Sequence, residues 1–77
     1  MKYAKATSLN GEREPDEIVN ERHVERYISP ATLDFFRNLG GTEKVTKHPD
    51  GTIVVRSVSP EGDKVRVTVF TPVKEET

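Results

Sequence analysis

Four cations and one aromatic ring are the residues of this chain best suited to chemistry: Lys44, Arg56, Lys64 and Arg66, with Phe70 beside them. Cationic side chains spaced two apart on neighbouring strands project from one face of a sheet, where they can bind carboxylate or phosphate. The spacing predicts Lys44, Arg56 and Arg66 in one cross-strand row, with Lys64 and Phe70 on the same face. Like charges directly opposite repel by roughly a few tenths of a kcal/mol per pair. An acidic protein surface or a nucleic-acid backbone would relieve that repulsion. Nucleic-acid sheets normally add several stacking aromatics among their cations, whereas Phe70 is the sole candidate here. The net charge of −1 also gives no global attraction to polyanions. A protein partner is therefore ranked above nucleic acid. Against both stands a plain solvated face, with Arg and Lys stems covering the sheet and guarding its edges.

Other chemistry is poorly served. The two histidines, His23 and His48, would need to meet beside a carboxylate such as Asp50 to make a zinc or proton-transfer site. His48 flanks a turn and His23 lies in a charged segment, so neither is expected to do so. The run Asn38-Leu39-Gly40-Gly41 follows a helix instead of preceding one, which suits a C-cap better than a phosphate cradle. Carboxylates are plentiful but fall on turns and in the N-terminal third. No catalytic residue, metal ligand or cofactor is expected, and the chain is not read as an enzyme.

The elements that must hold these residues are punctuated by two turns, His48-Pro49-Asp50-Gly51-Thr52 and Ser59-Pro60-Glu61-Gly62-Asp63. Proline sets φ at the first corner and glycine takes the left-handed position. Three-residue loops at both places predict an antiparallel meander in which His48 faces Thr52 and Ser59 faces Asp63. Counting outward puts Val45 opposite Val55, Val55 opposite Val67, Ile53 opposite Val69 and Ser57 opposite Val65. One face is then valine and isoleucine, and the other carries the cations with Val54, Val58 and Phe70. A helix precedes the sheet. Ser29 suits its N-cap, Pro30 its first turn, and Gly40 or Gly41 its exit. Its apolar positions, Ala31, Leu33, Phe35, Phe36 and Leu39, predict docking on the valine face.

Residues 1–28 give weaker signals. Pro15-Asp16-Glu17 suggests a short helix over 15–22 followed by extended chain to Ile28, with a strand over 2–8 and a turn at Asn10-Gly11. This stretch is acidic, carrying Glu12, Glu14, Asp16, Glu17, Glu21 and Glu25 against Arg13 and Arg22. Pro72 should end the last strand, leaving 72–77 frayed.

Seventy-seven residues, 32% of them hydrophobic, make one small domain with a marginal core. Cysteine is absent, so there is no sign of an oxidising compartment. No apolar run approaches a membrane span, and the N-terminus lacks a secretory signal. A cytoplasmic location and no membrane contact follow as expectations. The fold class expected is α+β: one amphipathic helix over 29–41 on a three-stranded antiparallel meander over 42–71, with a less regular segment over 1–28. The function expected is non-catalytic binding by protein–protein contact, as an accessory, inhibitor or adaptor protein of the kind that viruses and mobile elements often encode. Nucleic-acid binding through the cationic face is the alternative. Open strand edges and outward apolar residues further predict a homo-oligomer.

Overall fold

A computed structural model describes residues 1–73, without the side chain of Phe36. The expected docking of Phe36 and the frayed tail beyond Val73 lie outside the described residues. Eight elements follow one another: β1 (Lys2–Leu9), β2 (Glu12–Arg13), β3 (Glu17–Asn20), α1 (Glu21–Tyr27), α2 (Pro30–Asn38), β4 (Thr42–Lys47), β5 (Ile53–Val58) and β6 (Val65–Val73). The six strands form one antiparallel sheet in the order β2-β1-β6-β5-β4, with β3 also paired to β1. The α+β class holds, but the three-stranded meander undercounts the sheet.

The N-terminal third is as regular as the rest. Asn10 and Gly11 both take positive φ, 51° and 84°, giving the two-residue hairpin turn that joins β1 to β2. The edge strand then breaks at Glu14-Pro15-Asp16 and resumes as β3. The order expected for 15–28 is corrected: residues 17–20 are extended and 21–27 are helical. Asn20 decides the switch, because its side chain accepts a hydrogen bond from the His23 amide at 3.0 Å and caps α1. Val24, Tyr27 and Ile28, at helical spacing, face the core. Pro30 then disfavours helical geometry at Ser29 and separates α1 from α2. The Ser29 hydroxyl sits at the junction, 3.0 Å from the Arg26 carbonyl and accepting from the Thr32 amide at 3.3 Å. Ser29 is thus the cap expected for α2.

The first hairpin has the expected register. His48 donates to the Thr52 carbonyl at 2.9 Å across a three-residue loop, and Val45 faces Val55. Asp50 accepts from the Thr52 amide at 2.9 Å, and this bond holds its carboxyl below the usual carboxylate range. The second hairpin differs by one residue. Ser59 donates to Lys64, not to Asp63, so the loop holds four residues. Its closure uses the Ser59 hydroxyl, which donates to Asp63 at 2.9 Å and accepts from the Lys64 amide at 3.1 Å. Ile53 consequently faces Phe70, Val55 faces Thr68 and Ser57 faces Arg66.

A one-residue change in register exchanges the two faces of a strand. Thr68 and Phe70 therefore point to the helices, and Val65, Val67 and Val69 point away. The buried cluster is Tyr3, Val24, Ile53, Val55 and Phe70, with Val19, Tyr27, Ile28 and Val45 packed around it. Val45, Ile53 and Val55 occupy the face expected of them, whereas Val67 and Val69 do not. Helix α1, absent from the expectation, covers much of this core. Helix α2 packs mainly against β4, and Phe35 and Leu39 stay 62% and 59% exposed. The broad apolar face expected to bury them is only partly covered.

Pro72 does not stop β6. It lies in the strand opposite Tyr3. Beyond Phe70, β6 has lost its β5 neighbour, so proline sits where the ladder is one-sided. The ring also closes the space beside Gly51, where φ is +93° and a Cβ would come within 2.9 Å of Pro72 Cγ.

Candidate functional site

The helices cover one face of the sheet and leave the other open. Strand alternation and the observed register place Ala4 and Ala6 of β1, Val65, Val67 and Val69 of β6, and Val54 and Val58 of β5 on the open face. These valines are half-buried. Between β1 and β6 the surface dips into a trough of about 480 Å³ lined by Ala6, Ser8, Arg13, Val67, Val69 and Thr71.

The five residues expected to form one binding face are divided. Lys44 and Arg56 are cross-strand partners on the open face and both are exposed, as expected. Across the sheet their row continues through Val67 and Ser8 to Arg13, so the predicted third cation is a valine. Arg66 belongs to the helix face, opposite Ser57 and Leu9. Lys64 ends the β5–β6 loop and shares with Arg66 a cleft of about 340 Å³, whose apolar walls include Leu9, Leu39 and Pro60. Phe70 is fully buried in the core and is not a surface residue. The four-residue loop accounts for every one of these displacements.

On the helix face a polar group surrounds Phe70. Lys5 Nζ lies 3.0 Å from His23 Nε2, 3.5 Å from the Glu17 carboxylate and 5.0 Å from the centre of the Tyr27 ring. Tyr27 meets Phe70 edge-on at 5.3 Å between centroids, and its hydroxyl pairs with Thr68 at 2.9 Å. An ammonium has no lone pair, so His23 Nε2 accepts this bond. The group reads as a satisfied polar rim around the core, which tolerates burial because its members are paired. His48 stands on the β4–β5 turn, exposed. Among the described residues no group of three His, Asp or Glu side chains could hold a metal ion. No described helix is long and apolar enough to cross a membrane.

Tyr27 and Thr68 yield a direct test of this rim. Tyr27→Phe should lower stability by about 1–3 kcal/mol in urea denaturation, because the Thr68 hydroxyl is left inside without its partner. Adding Thr68→Val should recover part of that loss. Strictly additive losses would show that the two hydroxyls do not interact.

Sequence reasoning had the means to find α1. Asn20 followed by Val24, Tyr27 and Ile28 is a cap and an i, i+3, i+4 stripe. It had no comparable signal for Asp63 as a turn residue. No protein-family model, curated protein or solved structure matches the chain.

Proposed function

We propose that this is a small non-catalytic binding protein acting by protein–protein contact, and that the open sheet face is its contact surface. One observation carries the proposal: valines of β5 and β6 face away from the helices and are flanked by Lys44, Arg56, Lys2 and Arg13, while no acidic strand residue shares that face. An apolar centre inside a polar rim is the anatomy of a protein interface. The rim charge selects the partner, which should offer an apolar strip bordered by Asp and Glu. An inhibitor or adaptor acting in the cytoplasm fits this reading. Nucleic acid is less well served than the sequence suggested, because the strand aromatics Tyr3 and Phe70 both face the helices.

The test compares capture from a host lysate by the wild-type chain and by three variants of matched stability. Val69→Lys and Arg56→Glu should each abolish capture of a species held by the wild type. Lys64→Glu, on the opposite side of the sheet, should retain it. Arg56→Glu should act mainly through a slower association rate. Capture indifferent to Val69 and Arg56 would reject the open face. Binding to mixed oligonucleotides with a steep salt dependence would favour the nucleic-acid alternative instead.

A further inference from the structure

Strand β4 is the last strand of the sheet, and among the described residues no strand pairs with its outer edge. Among the described residues no backbone bond reaches Glu43, Val45 or Lys47 from outside the β4–β5 ladder. Parity shows which groups are free. His48 donates to Thr52, so Thr46, Lys44 and Thr42 exchange bonds with β5 in alternate steps. The N–H and C=O groups of Glu43, Val45 and Lys47 therefore point outward. At the far side of the sheet the edge is broken by Pro15 between β2 and β3, so β4 is the one continuous edge among the described strands.

We infer that β4 pairs antiparallel with β4 of a second copy, about a two-fold axis at Val45. Hydrogen-bond parity requires the outward residues to face one another, which leaves few registers. Centring on Lys44 would set Lys44 against Lys44. Centring on Thr46 would set Glu43 against Pro49, which has no N–H to donate. Centring on Val45 sets Val45 against itself and Glu43 against Lys47, twice by symmetry. That register alone matches opposite charges directly across the pair.

A second observation points the same way. Glu43 is only half satisfied within the chain: Oε1 accepts from Ser57 Oγ at 3.1 Å, but Oε2 is buried without a hydrogen-bond partner. Lys47, on the same face of β4, is exposed and has no ion-pair partner among the described residues. In this register the second copy's Lys47 lies directly across from Glu43, whose carboxylate has no ion-pair partner among the described residues. The pairing leaves the open sheet faces side by side and uncovered, so it stands independently of the function proposed above.

Sedimentation equilibrium of the full chain should give a reversible dimer of the 8.7 kDa protein. Lys47→Glu should weaken the dimer on the order of tenfold, since two attractive pairs become repulsive. Glu43→Lys combined with Lys47→Glu should restore it. Lys47→Pro removes the outward N–H together with the ammonium and leaves the β4–β5 hydrogen bonds in place, so it should abolish the dimer while the circular dichroism of the sheet persists. Register is read by oxidation, because the chain has no cysteine of its own. Val45→Cys should cross-link, as directly opposed Cα atoms lie about 5.5 Å apart, within disulfide range. Lys47→Cys should not, since the two copies of residue 47 would be about 13 Å apart along the strands. A monomer at millimolar concentration, a charge swap that fails to rescue, or cross-linking at 47 in place of 45 would each overturn the inference.

Discussion

Phe70→Ala should destabilise the protein by several kcal/mol, whereas Val69→Ala should cost less than about 1 kcal/mol. Phe70 is fully buried, lies opposite Ile53 and meets the Tyr27 and His23 rings in T-shaped contacts. Removing such a ring costs about 3–5 kcal/mol through lost burial and the cavity left behind. A domain of this size holds only about 4–12 kcal/mol of net stability. Val69 sits one residue away on the uncovered face and loses little on truncation. Thermal and urea denaturation of the pair separates the two registers cleanly. If Val69→Ala proved the costlier change, β6 would have its valines inside, and the open-face proposal would fail with it.

The second large effect is expected from the loop that sets this register. Deleting Glu61 shortens the β5–β6 connection to three residues, the length that Pro60 and Gly62 suggest on their own. The deletion leaves two outcomes for β6. It can slip by one to keep a four-residue loop, which drives Phe70 and Thr68 to the open face and Arg66 with them, or it can keep its register across a three-residue loop in which the Ser59–Asp63 closure is rearranged. The slip should cost several kcal/mol, since it forfeits Phe70, the largest fully buried side chain among the described residues. The expected result is loss of cooperative unfolding. A deletion variant as stable as the wild type would show that the loop does not set the register.

These two experiments also mark where the sequence stopped being legible. The first hairpin was readable to the residue, because Pro49-Asp50-Gly51 fits a three-residue loop and Val45, Ile53 and Val55 agree with it. The second hairpin carries the same Pro-acid-Gly string, yet its closure depends on a hydroxyl–carboxylate bond between Ser59 and Asp63 that no turn template contains. Period-2 patterning could not correct the error. In β6 both phases look plausible, one with Val65, Val67 and Val69, the other with Thr68 and Phe70. Counting β-branched residues favours the first. The choice is made by partners far away in the chain, since Tyr27 supplies both an edge for the Phe70 ring and a hydrogen bond for Thr68. The candidate site inherited the mistake: Lys44 and Arg56 were placed correctly by the readable hairpin, and Lys64, Arg66 and Phe70 were misplaced by the other. The strand over 2–8 and the turn at Asn10-Gly11 were legible, but the place of β1 inside the sheet was not. Its side chains, Lys2 to Leu9, are mostly small or polar, and its identity as an inner strand rests on neighbours on both sides.

The pairing of β1 with β6 governs how the chain can reach this fold. Tyr3 must meet Pro72 and Leu9 must meet Arg66, so β1 waits for β6, the last of the described strands to be synthesised. Asn10 ties the same ends together, exchanging backbone and side-chain bonds of 2.8 Å with Val65. Contacts so distant along the chain make for slow barrier crossing. Until β6 leaves the ribosome, β1 and its hairpin carry an unfilled edge, and β4 and β5 lack Phe70 to close over. In the interval between the synthesis of β1 and that of β6, a nascent chain shows its apolar residues to every neighbour.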